Sequence, residues 1–374
     1  MKHLISSKTY KYIINNRDLY ILEYLRNELN STKSKIDRYY NEWESVKKII
    51  HDYEYVYYGS YRKKNISSVA PVSRSYFKFR EIFYDFNMNI ENINNVCNLA
   101  EAPGGFIESL IHLSNGKKLT IYANSLLSSD KSIPMWNNKI KRYKINTLYG
   151  KKNNGDICDF DNIISIIHKL GRNSCELVTG DGGFDYSKNF NKQEVSSFKI
   201  IFCEIVTAIS NQAIGGNFIC KLFDTYSRIS KSFIHLLCSL YKTVLIHKPV
   251  TSRPANSEKY IICKGFIGIE ERYLESLFIS INLWNIIEGK GGQIKGLFKN
   301  DIPDKIDKKI DELNTIHYKE QKQSIEKTIN LIKNKPNLTE LNLIIGNQVE
   351  HACNWCKKYD IPINNSSTFI EKKN

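Results

Sequence analysis

Hydrophobic positions in the middle of the chain follow two alternating patterns, from about residue 72 to about residue 285. Short apolar runs predict strands at 95–99, 119–123, 175–179, 217–222, 243–247 and 260–264. Apolar residues at helical spacing predict helices at 74–86, 106–113, 161–170, 194–211 and 229–241. Strands that alternate with helices are typical of an α/β fold with a mostly parallel sheet covered on both faces. The last two strands are joined by a proline-containing loop without a helix, so we expect the final strand to run antiparallel.

The two ends of the chain follow a different pattern. Near the N-terminus, Ile36, Tyr40, Trp43 and Val46 recur at helical spacing, which predicts an amphipathic helix on a larger body. Beyond residue 300 the sequence is lysine-rich and helical, most clearly at 302–332. The predicted organisation is a helical N-terminal extension at 1–70, an α/β domain at 71–285, a lysine-rich helical C-terminal extension at 286–362 and a disordered polar tail at 363–374.

Charge and composition narrow the range of functions. Among 374 residues, Lys and Arg number 54 and Asp and Glu number 39, so the formal net charge is +15. This excess favours an anionic partner such as nucleic acid, although general enrichment in Lys, Asn, Ile and Tyr explains it equally well. The cysteines are odd in number and scattered, which favours a reducing compartment. Because no apolar run approaches the roughly 20 residues of a membrane span and the start is not a secretory signal, we expect a soluble, intracellular protein.

Ligands of open α/β sheets bind at the carboxyl ends of the strands. After the first predicted strand, residues 98–106 read Asn-Leu-Ala-Glu-Ala-Pro-Gly-Gly-Phe and open a predicted helix. Small residues and two glycines let the backbone approach a ligand, and the free N–H groups of the helix start can bind its polar end. A generic glycine turn is the alternative. A P-loop is not favoured, because no Lys-Ser/Thr follows the glycines. A dinucleotide-binding loop is not favoured either, because its spaced glycines are missing.

Four further stretches carry charged residues, three at predicted strand ends and one on the first predicted helix. They are Leu-Val-Thr-Gly-Asp-Gly-Gly-Phe-Asp at 177–185, Gly-Gly-Asn-Phe-Ile-Cys-Lys-Leu-Phe-Asp at 215–224, Ser-Arg-Pro-Ala-Asn-Ser-Glu-Lys-Tyr at 252–260 and Arg-Ser-Tyr-Phe-Lys at 74–78. A single Lys on a strand is usually a surface charge, and a single Asp after a strand is usually a cap or turn residue. As an ordered set, they indicate a functional site.

Residues 100–106 resemble the first motif of the FtsJ-like ribose 2′-O-methyltransferases, and the other four stretches match that family in the same order over about 70–266. The resemblance implies a Rossmann-like fold with a mostly parallel seven-stranded sheet, one antiparallel strand, and S-adenosylmethionine as cofactor. The residues it implies around the cofactor are Ala100, Ala102, Pro103, Gly104, Gly105, Phe106 and Asp181. It implies a catalytic set of Lys78, Asp181, Lys221 and Glu258. No metal is required, and the Cys-x-x-Cys pair at 353–356 lacks the fourth ligand of a structural zinc site.

Methyl transfer to a ribose needs such a set because the hydroxyl is a poor nucleophile at neutral pH. A lysine can accept its proton only when neutral, and the unperturbed pKa of lysine is about 10.4. Burial and a nearby cation lower the pKa of a lysine, whereas adjacent carboxylates raise it. The resemblance makes Lys221 the base, with Lys78 and Asp181 shaping its field and Glu258 orienting the group. Positioning of the hydroxyl by Lys221 is the alternative role.

The resemblance also suggests binding contacts at less distinctive residues. Asn124 stands where the family places an acid that holds the cofactor ribose. Asp156 is the candidate beside the adenine, with Asp159 as the second choice and an ordinary polar turn as the alternative. Arg74 and Arg253 are candidates for binding RNA phosphates, although solvated surface arginines are nearly as common. Phe184 is the candidate for stacking on a methylated guanine; Tyr186 and Tyr226 also lie beside motif residues, and most aromatic residues belong to the core.

Within the family, the sequences of 215–224 and 252–260 are most similar to those of the mRNA cap-specific 2′-O-methyltransferases of eukaryotes and large DNA viruses. This implies methyl transfer to a cap-proximal nucleotide and a capped mRNA 5′ end as partner. It also allows the flanks to dock on other capping enzymes or the transcription machinery. Such an enzyme works in the cytoplasm if viral and in the nucleus if cellular. The alternatives are a methyltransferase of ribosomal or transfer RNA and a catalytically idle RNA-binding subunit of a capping complex.

Overall fold

A seven-stranded sheet forms the centre of the computed structural model, which describes residues 23–59, 61–183, 190–292, 294, 296–298 and 302–370. The strand order is β3-β2-β1-β4-β5-β7-β6, and β7 runs antiparallel to both of its neighbours while the other pairs are parallel. The strands are β1 Asn95–Leu99, β2 Thr120–Ala123, β3 Ile145–Thr147, β4 Cys175–Gly180, β5 Gln212–Leu222, β6 Tyr241–His247 and β7 Lys259–Phe266.

Helices cover both faces of this sheet, because its strands are apolar on both sides. One core contains Phe202, Phe233 and Trp284, and the opposite core contains Phe79 and Phe106. The helices are α1 Glu23–Ser34, α2 Tyr40–Val46, α3 Ser75–Asp85, α4 Gly105–Ser114, α5 Asn138–Lys141, α6 Phe160–Leu170, α7 Gln193–Asn211, α8 Arg228–Leu240, α9 Glu271–Gly289, α10 Asp304–Lys333 and α11 Leu338–Lys358.

The strand order reverses between β1 and β4, which are neighbours in the sheet. The last residues of these strands, Leu99 and Gly180, are register partners, and Gly180 is also paired with Cys220 of β5. Three of the sequence motifs therefore meet at one edge of the sheet. This edge is the switch point at which open α/β sheets bind their ligands.

The extensions from both ends pack on the α/β domain. On the N-terminal side, Lys33 donates to Asp224 of the α/β domain at 2.9 Å, and Ile36 and Trp43 pack on α10. On the C-terminal side, α11 packs on α3, where the Trp355 and Phe77 ring centroids are 5.7 Å apart. Among the described residues, no helix is long and apolar enough to span a bilayer.

The α/β pattern predicted from the sequence is confirmed, including the antiparallel last strand. The sequence pattern missed β3 and α5, which are only three and four residues long, and it did not identify α9, which crosses the expected boundary at residue 285. The single helix expected around residue 40 is wrong, because a tight turn at Lys35–Tyr39 resets the helical phase and leaves Tyr40 62% exposed.

The prediction of a disordered tail at 363–374 is wrong for residues 363–370, and residues 371–374 lie outside the described residues. The peptide N–H groups of Asn364 and Thr368 donate to the carbonyls of Ile66 and Lys63, and Ser367 is fully buried. Polar composition predicts disorder when no partner is available. Here the backbone of residues 62–66 supplies the partners.

Candidate active site

Two lysine–carboxylate pairs meet at the carboxyl edge of the sheet. Lys78 of α3 donates from Nζ at 2.5 Å to Oε1 of Glu258, the residue just before β7. Lys221 of β5 donates from Nζ to the Asp181 carbonyl oxygen at 2.6 Å, and its Nζ lies 3.3 Å from Asp181 Oδ1. All four side chains are between 14% and 16% exposed, so each lies at the wall of a cleft rather than in the core or on open surface. The structure thus brings together the four residues expected to form one set.

Tyr260 joins the two pairs, and the sequence motifs gave it no role. Its fully buried phenol O–H lies 2.8 Å from Glu258 Oε1 and 3.2 Å from Asp181 Oδ1, so it bridges the two carboxylates. The position directly follows Glu258-Lys259, and in a strand sequence a tyrosine there is indistinguishable from an ordinary core aromatic.

The electrostatic balance at the cleft holds Lys221 as an ammonium. Burial disfavours its charged form, but the charges of Asp181, Glu258 and Glu204 outweigh burial and raise the pKa of Lys221 above its ordinary value. Burial likewise opposes ionisation of Glu258, yet the ammonium groups of Lys78 and Lys221 lower the pKa of Glu258 to about 2.

A buried carboxyl group supports the turn that carries Asp181. Glu204 of α7 is fully buried, and its Oε1 accepts a hydrogen bond from the Gly182 N–H at 2.9 Å. A Cβ on Gly182 would lie 2.5 Å from that oxygen, so the close approach requires glycine. Burial raises the pKa of Glu204 to about 7. The sequence signal that could have identified Glu204 is an acid inside the apolar run Ile-Ile-Phe-Cys-Glu-Ile-Val at 200–206.

A half-buried lysine fixes the loop that carries Glu258. Lys248 Nζ donates to the Asn256 backbone oxygen at 2.5 Å, to Asn256 Oδ1 at 2.8 Å and to the Glu258 backbone oxygen at 3.2 Å. Burial, reinforced by the nearby Lys259 charge, lowers the pKa of Lys248 to about 7. The three oxygen contacts of this nitrogen all lie in the loop between β6 and β7, so they fix that loop.

The loop between β1 and α4 has the backbone that its small residues predict. Ala100 and Gly104 adopt positive φ angles of 49° and 110°. A Cβ on Gly105 would lie 2.2 Å or less from the hydroxyl oxygens of Ser73 and Ser75, so only glycine allows α4 to start against α3. The Asp181 N–H donates to the Leu99 carbonyl at 3.2 Å, which ties this loop to the catalytic candidates.

Three buried oxygens beside this loop have no hydrogen-bond partner within the described ranges: Asn98 Oδ1, Glu101 Oε2 and Asn124 Oδ1. Burial, followed by the Asp181 charge, raises the pKa of Glu101 well above its usual range. Unsatisfied buried acceptors are costly, so they favour a ligand that offers donors or positive charge. A sulfonium cofactor with an amino group and a ribose offers such donors and positive charge. The residues beside the loop between β1 and α4 therefore fit such a cofactor.

Phe106 and Asn124 have structural contacts in this region. The Phe106 ring is fully buried in the core, while its peptide N–H donates to Glu101 Oε1 at 2.7 Å. The Asn124 amide nitrogen donates to the carbonyls of Leu148 and Gly155, and it thereby holds the loop expected near the adenine. In that loop, Asp156 Oδ1 accepts from the Cys158 N–H, which is the geometry of a polar turn.

The two arginines expected to contact RNA both bind Glu54 of the N-terminal extension. Arg253 donates from Nε and an Nη to the two Glu54 oxygens at 3.1 and 2.8 Å, and Arg74 Nη1 lies 3.5 Å from Oε1. His51 Nδ1 is 2.8 Å from Oε2. Burial opposes ionisation, but His51, Arg253 and Arg74 lower the pKa of Glu54 to about 2. Phe184 lies outside the described residues.

Comparison with known proteins gives a family and several relatives. The FtsJ-like methyltransferase family matches residues 71–266. A Caenorhabditis elegans cap-specific mRNA (nucleoside-2′-O-)-methyltransferase 1 is 33% identical over 193 residues, covering 50% of this chain and 21% of the relative. A Caenorhabditis briggsae protein named as an inactive cap-specific methyltransferase 1B is 31% identical over 179 residues, covering 47% and 21%.

Among solved structures, a protein described as a ribosomal RNA methyltransferase from Plasmodium falciparum is similar over 53% of this chain and 99% of its own length, with 19% identity and a TM-score of 0.38. The chain spans about a fifth of the length of the two curated relatives.

Proposed function

Because the chain belongs to the FtsJ-like methyltransferase family, we propose that it methylates the ribose 2′-oxygen of a cap-proximal nucleotide of mRNA. The observation that carries this proposal is the convergence of Lys78, Asp181, Lys221 and Glu258 at one cleft, beside a small-residue loop with unsatisfied buried acceptors. The names of the curated relatives support the capped mRNA 5′ end as substrate.

S-adenosylmethionine would supply the transferable methyl group on a positively charged sulfur. Residues Ala100–Gly105, with the N–H groups at the start of α4, would hold it. Asp156 keeps one carboxylate oxygen outside its turn hydrogen bond and is proposed to bind the adenine side. The side-chain Oδ1 of Asn124 is proposed to accept from the ribose, in place of the family's acid.

In the proposed chemical step, the ribose 2′-oxygen forms a bond to the methyl carbon as the carbon–sulfur bond breaks. The proton leaves the hydroxyl for the Lys221 amine in its neutral form. Since the resting lysine is charged, it must first lose a proton to solvent. In-line attack depends on alignment, and the Asp181 carbonyl fixes the amine in place.

The other members of the set are proposed to position and balance charge. Lys78 neutralises Glu258, and Tyr260 holds Glu258 and Asp181 at a fixed separation. Arg74 and Arg253 are each about a quarter exposed, and they are proposed to offer their remaining donors to phosphates. A role for Phe184 in binding the methylated guanine remains part of the proposal.

The test offers the full chain a short RNA in capped and uncapped forms with radiolabelled S-adenosylmethionine. We expect label on the capped RNA alone, and digestion should place it on a ribose 2′-oxygen. Equal transfer to both RNAs would instead indicate a ribosomal or transfer RNA substrate. Absence of transfer from a chain that binds the cofactor by calorimetry would indicate an idle subunit, as the name of the inactive relative indicates for that protein.

The matched variant is Lys221→Ala. It should lose at least about 10³-fold in kcat because it removes the proton acceptor, whereas cofactor affinity should stay within about threefold. A variant that retained full activity would exclude Lys221 from the reaction.

A further inference from the structure

We propose that residues 61–64, called the basic loop, bind single-stranded RNA beside the entrance of the active site, together with Lys48 and Tyr58. This inference rests on the proposed function, since it takes RNA as the substrate. The sequence of the loop is Tyr-Arg-Lys-Lys, and Tyr61 is 57% exposed. Arg62 and Lys63 are also exposed.

The cations of this surface have no carboxylate partners in the described part of the chain. Lys48, Arg62, Lys63 and Lys64 form no ion pair there, whereas the neighbouring Lys47 binds Glu44. Free positive charges that cluster without counter-charges destabilise the unliganded protein and attract anions. An RNA backbone supplies a row of such anions.

Two of these cations are held against one aromatic ring. The ammonium groups of Lys48 and Lys64 lie 4.8 and 5.0 Å from the centroid of Tyr58, so they are within about 10 Å of each other. At this separation the like charges repel, and a phosphate between them would turn the repulsion into attraction. Tyr58 itself stacks on Tyr55 at 5.3 Å, which fixes the ring.

The loop is preorganised from inside. The Asn65 side chain accepts from the Tyr58 N–H at 2.8 Å and donates to the Gly59 carbonyl at 3.0 Å, so it closes the loop across its base. The segment 363–370 binds the carbonyls of Arg62 and Lys63. Because the backbone polar groups are satisfied on the inner side, Tyr61 and the cationic side chains are left for a partner. A rigid surface loses less entropy on binding.

The segment that leads into the basic loop contacts the helix that carries Lys78. The Tyr57 carbonyl accepts a hydrogen bond from Arg74, and the Tyr57 ring lies 5.7 Å from that of Phe77. Four residues of chain span at most about 14 Å, so Tyr61 lies within that distance of Tyr57. RNA that extends from a reacting nucleotide can therefore reach the basic loop.

The combination of an exposed aromatic ring and cations favours single-stranded RNA. Bases stack on aromatic side chains while lysine and arginine follow the phosphates, and this requires unpaired bases. Tyr61 supplies the exposed ring, and Arg62, Lys63, Lys64 and Lys48 supply the charge.

The experiment compares two triple variants of the full chain. The test variant is Arg62→Ala/Lys63→Ala/Lys64→Ala. The matched control is Lys305→Ala/Lys308→Ala/Lys319→Ala, which removes the same charge from exposed, unpaired lysines of α10. Binding of an uncapped, unstructured RNA of about 20 nucleotides is measured by fluorescence anisotropy between about 50 and 200 mM KCl.

We expect the test variant to weaken RNA binding at least about tenfold and to reduce the slope of log affinity against log salt by about 2, since each lost phosphate contact contributes about 0.7. The control should change affinity less than about twofold. A separate Tyr61→Ala variant should weaken binding about tenfold with an unchanged salt slope, because the ring carries no charge. Equal losses in both triples, or none in the test triple, would overturn the proposal.

A kinetic arm separates this inference from the proposed function. With capped RNA of about 20 nucleotides, the test variant should raise KM about tenfold and leave kcat within about twofold, while a capped dinucleotide should show no change. If no RNA is methylated but the test variant alone loses RNA binding, the proposed function fails and the basic loop stands. If methylation of the long RNA is identical in both triples, the basic loop fails and the methyltransferase stands.

Discussion

Lys221 on β5 lies directly opposite Tyr260 on β7 in the antiparallel register of the sheet. Side chains of directly opposed residues point to the same face, so the amine and the phenol meet on one side. Both are in contact with Asp181, the amine through the backbone oxygen and the phenol through the carboxylate. The sheet pairing therefore sets the separation between the lysine and the hydroxyl that orders its counter-ions.

The substitution Tyr260→Phe should lower kcat about 10- to 100-fold. The change removes one O–H shared by two carboxylates, and a hydrogen bond to a charged group contributes about 1.5–3 kcal/mol. The matched control is Tyr241→Phe, since Tyr241 is also buried in the sheet but donates to Gln212, away from the cleft. Equal rates for wild type and Tyr260→Phe would remove Tyr260 from the proposed mechanism.

The rate of methyl transfer should rise with pH. Because neighbouring carboxylates outweigh burial and raise the pKa of Lys221, the neutral amine is a minor form across the accessible range. If the neutral amine accepts the proton, log(kcat/KM) should increase by about one per pH unit between about pH 6 and pH 9, without a plateau. A flat profile would instead assign Lys221 to positioning the hydroxyl as an ammonium.

Glu54→Gln should lower the free energy of unfolding by about 3 kcal/mol at pH 7, because it leaves two arginines and a histidine beside an uncharged amide. A surface pair provides the control: Glu44→Gln, whose side chain is 66% exposed, should cost less than about 1 kcal/mol. Both values follow from denaturant titrations monitored by tryptophan fluorescence.

The difference in the free energy of unfolding between wild type and Glu54→Gln should depend on pH with a defined sign. The pKa of Glu54 is lowered from 4.5 to about 2 in the folded protein, so the carboxylate contributes its full stability above pH 4.5. That stability is lost as the pH falls from 4.5 towards 2. The gap between wild type and Glu54→Gln should therefore narrow over this interval, and a constant gap would contradict the assignment.

Ending the chain at Pro362 should loosen the basic loop. The deletion removes the donors that bind Lys63 and Ile66 and the Phe369 ring that packs on Tyr55 at 4.7 Å. Amide hydrogen exchange at 64–66 should accelerate at least about tenfold, while β4 amides stay protected. A chain ending at Ile370 serves as the control and should exchange like the full chain. Unchanged exchange after the longer deletion would show that the segment does not hold the loop.

The sequence predicted the strands of the α/β domain well because their apolar runs are long enough to be read locally. β3 has three residues at the edge of the sheet, of which two are exposed, and such a strand leaves no pattern. The four charged candidates could be found because each lies in a recognisable stretch at an end of a strand or in the first turn of a helix. Their order in the sequence predicted their meeting in space.

Partners that come from distant parts of the chain could not be predicted in this way. Arg253 was expected to meet phosphate, yet its carboxylate partner, Glu54, is 199 residues earlier. No local pattern links them, since both residues look like surface charges when read alone. Tyr260 was missed for a related reason. Its ring fits the pattern of an apolar strand, and only the folded structure brings its hydroxyl to Asp181 and Glu258.

The packing of α11 on α3 also joins the helix that bears Lys78 to residues 279 and 280 positions later in the sequence. The Arg80 guanidinium donates to the carbonyls of Tyr359 and Asp360, and the Trp355 indole N–H donates to Glu81. The helix that bears Lys78 therefore acquires its last neighbours only when residues 355–360 are in place. A protein truncated before Trp355 would lose these three hydrogen bonds, and with them part of the support of the helix that carries this lysine.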